Sequence, residues 1–243
     1  MNLILLEWCL LLVCGWLAAT VSGAAGFGGA FLLLPVLSFV VGAKAAVPIL
    51  TIAQLLGNAS RAGFGWRDIH WRPALLFSAG AIPASFIGSR LFVDLAPAFL
   101  PRAIGCFLLV VVGLRHTELG KRKTPQWSLA PAGAIVGFLS AIAGTAGPLG
   151  AAVFLGLNLT ASAYLASEAV TAVLMHLTKS IAYRKYAAMS FDNFTQGLAL
   201  GCSLILGSWT GRKLISGMPE KGLTSMVEIL LVASAFLLIL GTK

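Results

Sequence analysis

Between Trp8 and Ala43 the chain runs for 36 residues without a charged side chain, and glycines at 23, 26, 28 and 29 interrupt that run. An apolar stretch of this length belongs in lipid, where unpaired backbone N–H and C=O groups are very costly. Helix is the backbone that satisfies them, and a glycine cluster is where a helix can open. Opening is tolerated only where protein or a water-filled cavity covers the freed groups. The opened ends aim N–H groups and a partial positive charge into the gap. The pattern predicts an anion site, provided a second break completes it.

Composition agrees. Charged residues make up 10% of the 243 and hydrophobic ones 58%, against about 25% charged in soluble domains. Mean hydropathy is +0.93. The predicted fold class is all-α, a polytopic integral membrane protein. It has about 8–10 transmembrane or half-membrane helices in two homologous halves with glycine-broken helices. The first apolar segment has no basic region ahead of it and exceeds the length of a signal-peptide core, so it reads as a retained span. The 17 basic residues behind the +9 net charge sit between apolar segments, where Lys and Arg fix topology, and imply no nucleic-acid partner. Cys9, Cys14, Cys106 and Cys202 lack metal-ligand spacing and read as small buried hydrophobes. No metal, cofactor or catalytic constellation is expected.

Apolar segments are predicted at about 2–22, 26–42, 45–60, 73–89 and 97–114, with Trp66 and Trp71 beside Arg67 and Arg72 as an interfacial anchor. The second half repeats the plan. Residues 124–167 are uncharged and broken at Gly144-Thr145-Ala146-Gly147-Pro148, and segments follow at about 162–182, 193–211 and 222–241. The expected division is a first repeat over 1–115, a basic linker over 116–126 and a second repeat over 127–243. With an offset of 118, Ser22 falls on Ser140, Gly26 on Gly144, Gly29 on Gly147 and Arg61 on Lys179. After a slip of five residues, Gly80, Ala84 and Gly88 fall on Ser203, Gly207 and Gly211. Those small residues read as close helix packing. Loop charge does not separate inverted from parallel repeats. The inverted arrangement is preferred here because alternating access follows from it more directly.

Candidate substrate contacts are Gly26, Gly28, Gly29, Gly144, Thr145 and Gly147 at the breaks. The stripe Thr51, Gln54, Asn58 and Arg61, within about 80° on one helix face, adds to them. The bland alternative is helix–helix hydrogen bonding, with Arg61 as a plain interface anchor. Glu168, Thr171, His176 and Lys179 occupy the related helix of the second half, and His176 and Lys179 join the candidate substrate contacts. Glu168 and Lys179, eleven residues apart, lie ~16 Å from each other and cannot pair along that helix. Glu168 either sits at the interface or is an intramembrane carboxylate suited to proton coupling. His176 either exchanges a proton or packs.

The run from Gly23 to Pro35 resembles the first glycine signature of the sulfite-exporter (TauE/SafE) family of membrane permeases. The segment from Ala46 to Arg61, Gly88-Ser89-Arg90 and the second-half stretches Gly137 to Ser140 and Gly144 to Gly147 resemble it too. That resemblance implies a two-repeat carrier of the bacterial inner membrane, moving sulfite, sulfonates or related small anions. It also implies that Gly26, Gly28, Gly29, Gly144 and Gly147 form the site. The expected partners are a small anionic substrate and the lipid bilayer, and a homo-oligomer is compatible with both. The competing reading is a non-transporting membrane scaffold or accessory subunit.

Overall fold

The computed structural model describes residues 5–25, 29–96, 98–115 and 123–214, with 232, 235, 236, 239 and 240. Among the described residues there are nine α-helices and no strand: α1 (Leu5–Ala25), α2 (Gly29–Val41), α3 (Ala43–Phe64), α4 (Trp71–Asp94), α5 (Phe99–Arg115), α6 (Leu129–Ala143), α7 (Gly147–Leu155), α8 (Ala161–Lys185) and α9 (Phe191–Leu214). The all-α expectation holds. Gly26 and Gly28 lie outside the described residues, as do 116–122 of the expected linker and nearly all of the last predicted segment.

Helix starts and stops follow local chemistry. Gly42 adopts φ 80°, open to glycine without strain, and separates α2 from α3. Thr160 caps α8, its Oγ1 accepting from the Ala163 N–H at 3.4 Å. Lys44 Nζ donates to the carbonyls of Phe92, Val93 and Leu95 at 3.1, 2.8 and 2.8 Å, covering the carbonyl end of α4. Trp71–Asp94 and Gln126–Ala143 are long and apolar enough to cross a bilayer, with shorter apolar helices at Leu6–Val21, Leu32–Val41 and Phe99–Val110. At nine residues α7 reaches only about 13 Å and cannot cross alone.

Small residues set the packing. α4 lies along α6, and α1 along α9. A Cβ on Gly80 would overlap the Ala130 carbonyl oxygen, and one on Gly133 the Phe77 carbonyl oxygen. In the other pair, Gly207 abuts Trp16 and Ala19, and Gly211 abuts Thr20. The expected close-packing role of these stripes is what the contacts display. Matching order along each pair makes α4 parallel to α6 and α1 parallel to α9. In contrast, Arg61 near the end of α3 meets Glu168 near the start of α8, so these two helices are antiparallel.

Second-half boundaries fall 118 residues after first-half ones: Ala143 after Ala25, Gly147 after Gly29, Ala161 after Ala43. Partner choice follows the same exchange. α1 packs on α9 as α6 does on α4, and α3 packs on α9 as α8 does on α4.

The cysteines depart from expectation. Cys9, Cys106 and Cys202 are exposed and Cys14 is half-buried, all as free thiols. In a bundle whose outer face meets lipid, hydrophobicity does not select the interior, so a small apolar side chain is equally at home outside.

Replacing Gly80 or Gly133 with Leu is expected to separate α4 from α6 and cost about 1–3 kcal/mol or more. Gly63, with nothing within 4 Å of the place a Cβ would take, should accept the same change nearly unharmed. Thermal unfolding in detergent micelles distinguishes the two outcomes.

Candidate functional site

The α3–α8 crossing gathers most polar side chains that the sequence singled out. Thr51, Gln54 and Asn58 on α3 and Glu168, Thr171, His176 and Lys179 on α8 are all buried. Polar groups inside a membrane helix turn inward because lipid offers them no partner.

One end of the crossing carries an ion pair. Arg61 Nη2 lies 3.3 Å from Glu168 Oε2, with the two side chains 13% and 6% exposed. Nη2 also donates to Asn58 Oδ1. Arg61 is thus part of α3, which continues to Phe64, four residues past the predicted end of that segment. Glu168 likewise sits inside α8, which begins at Ala161. α7 passes close by, since a methyl on Gly150 would stand 3.8 Å from Glu168 Oε1. Removing one partner of such a buried pair would strand the other charge, so the two side chains are tied to each other across the crossing.

The second glycine break lies toward the other end. α6 stops at Ala143, Gly144 takes φ 82°, and Thr145 (2% exposed) and Ala146 lead into α7 at Gly147 with Pro148 in its first turn. The last carbonyls of α6 need partners, and α8 supplies them. Lys179 Nζ donates to Ser140 O at 3.3 Å, Ser140 Oγ at 2.9 Å and Gly144 O at 3.1 Å. Tyr183 adds an O–H donated to Ala141 O at 2.5 Å. An ammonium has three donors, and all three of Lys179's are engaged. Its charge also offsets the negative end of the α6 dipole, while the positive end of α7 opens from the same gap.

Gln54 and His176 lie between these ends. Stacking antiparallel α3 and α8 so that Arg61 meets Glu168 brings Gln54 about level with Met175 and His176. The Nε2 of Gln54 and the Nδ1 of His176 are buried and have no hydrogen-bond partner, as is also true of the hydroxyls of Ser38 on α2 and of Ser78 and Ser85 on α4; on α3 and α8 the orphans are an amide and an imidazole. Such orphans are rare in native interiors and call for an explanation. Thr51 and Thr171 differ, since their hydroxyls are spent on Val47 O and Glu168 O, both at 2.8 Å.

The candidates therefore sort into an Asn58–Arg61–Glu168 cluster, a Gly144–Thr145–Gly147–Lys179 cluster ~16 Å away along α8, and the Gln54–His176 pair between them. Gly29 opens α2. Ser140 and Tyr183 were missed. The 118-residue offset pairs Ser140 with Ser22 and so held a signal for it, but it pairs Tyr183 with Gly65 and held none.

Residues 11–238 match the family model described as sulfite exporter TauE/SafE. Comparison with curated proteins and with solved structures gives no match.

Arg61→Ala or Glu168→Ala alone should lower stability by about 3–5 kcal/mol, and the double variant Arg61→Met with Glu168→Leu should lose less than either. Denaturant titration of the purified variants reads this coupling.

Proposed function

The chain belongs to the sulfite exporter TauE/SafE family of membrane transporters, and on that premise we propose that it carries a small sulfur oxyanion, sulfite or a sulfonate, through the α3–α8 crossing. The observation that carries this reading is the pair of buried, unpartnered polar atoms on Gln54 and His176, set between the cations Arg61 and Lys179. An oxyanion there accepts hydrogen bonds from both side chains and draws on the positive field of both cations and of the α7 N-terminus.

Gly147 opens α7, and Thr145 lies in the gap before it. In this reading the corresponding first-half role falls, by the 118-residue offset, to Gly26, Gly28 and Gly29. We take residues 1–115 and 127–243 as inverted repeats joined by a basic linker. The antiparallel α3 and α8 and the shared 118-residue spacing of helix boundaries support that division. Inverted repeats about a midplane site provide two equivalent gates for alternating access.

Glu168 is the proton-coupling group in this account. Ionised, it holds Arg61; protonated, it loses the charge that holds the pair, and the guanidinium becomes available to the anion. Anion and proton thus enter together. The bacterial inner membrane is the location proposed, following the family.

Uptake of labelled sulfite or sulfonate into proteoliposomes tests the reading. Wild-type uptake should rise with an inward proton gradient. Glu168→Gln should lose that response, and Gly147→Leu should insert normally yet carry no flux. Gradient-driven uptake by Glu168→Gln would remove Glu168 from the coupling, and normal flux in Gly147→Leu would remove the broken helix from the site.

A further inference from the structure

We propose that an anionic phospholipid binds in the outward-facing groove where the α8–α9 turn meets α3, its acyl chain along the apolar lining and its phosphate on Arg184 and Lys185. The groove encloses about 580 Å³, within the range of sites that hold small molecules. Its apolar lining comes from Ile52, Ile181, Met189, Phe191 and Phe194. Ile52 is buried, whereas Ile181 and Phe191 are 58% and 73% exposed, so the groove opens on the outside of the bundle. It is remote in kind from the transport site, having none of that site's buried polar groups.

Its chemistry is that of an amphiphile's complement. Arg184 and Lys185 lie in the last turn of α8 and both line the groove, so two basic side chains border its apolar lining. Among the described residues neither has a carboxylate partner. Lys185 Nζ instead lies over the rings of Phe86 and Tyr186, at 5.5 and 5.6 Å from their centroids. Arg90 lies over the same Tyr186 ring at 5.3 Å, with Asp94 as its own partner at 2.6 Å. Asp192, the acid in the first turn of α9, is not part of the lining. Cation–π contacts hold the basic head in place without neutralising it. Aromatic and basic residues at one level are what a helix bundle presents to headgroups.

Charge complementarity selects the ligand. A zwitterionic lipid brings a choline that the two cations repel, while phosphatidylglycerol brings a net negative head. Two cations near a headgroup favour the anionic lipid by roughly 30-fold.

Native mass spectrometry of the purified chain in micelles containing equal phosphatidylglycerol and phosphatidylcholine tests this. Retention of phosphatidylglycerol over phosphatidylcholine by roughly 30-fold is expected, falling to near parity in Arg184→Gln/Lys185→Gln and unchanged in Arg67→Gln/Arg72→Gln, a basic pair elsewhere on the surface. Because the doubly substituted protein retains the fold's buried contacts, its melting temperature in pure detergent should match wild type. Equal retention of both lipids overturns the proposal, as does a preference that survives the α8 substitutions. A cross-link from Phe191→Cys to a second copy, or to residues 216–231 of the same chain, in phosphatidylglycerol-replete samples also overturns it, by placing protein where the acyl chain should lie.

Discussion

A polar side chain in a bilayer has to find its partner inside the protein, and that requirement decides where α3 and α8 go. Between them they carry seven of the buried polar positions that the sequence singled out, Glu168, His176 and Lys179 included. Both helices are long enough to cross, at 22 and 25 residues. Their polar content nevertheless keeps them out of the set that passes as plainly apolar spans, which α4 does. The Arg61–Glu168 pair then ties the two together in antiparallel sense, with α9 and α2 packed on α3 and α4 and α7 on α8. Each of the outer helices α4 and α9 packs on both an end helix of the other half and one of the two polar helices.

Carbonyl ends of helices need an answer in lipid as much as side chains do. Lys44 gives it for α4 and Lys179 for α6, each with three short contacts to oxygen. In both cases a lysine that sequence inspection would treat as a surface charge or a ligand contact is consumed by the fold. For Lys179 this changes what the residue contributes to an anion: its field remains, while its hydrogen bonds are committed. In the proposed site the donors left for a guest are then Gln54 and His176, joined by Arg61 once Glu168 releases it.

Much of this was legible beforehand, because glycine and charge punctuate an apolar chain sharply. The helices extend a few residues past the predicted segments at most ends, since charge marks where hydrophobicity stops and not where hydrogen bonding does. That is why Arg61 and Arg184 lie within helices. The break at Gly144 and the small-residue stripes were readable from residue type alone. What was not readable depends on contacts between distant segments: the choice of Glu168 as the partner of Arg61, the capping by Tyr183, and the outward placement of the cysteines. Side-chain periodicity places a residue on a face, but only packing says which neighbour that face meets.

The central claim is that Gln54 and His176 keep their buried polar atoms for an anion. Calorimetric titration of sulfite into the purified protein in detergent tests it most directly, using wild type and the variants Gln54→Leu and His176→Leu at one pH. Saturable binding in wild type, lost in each variant while the melting temperature holds, is the predicted result. Undiminished binding in both variants would contradict the account.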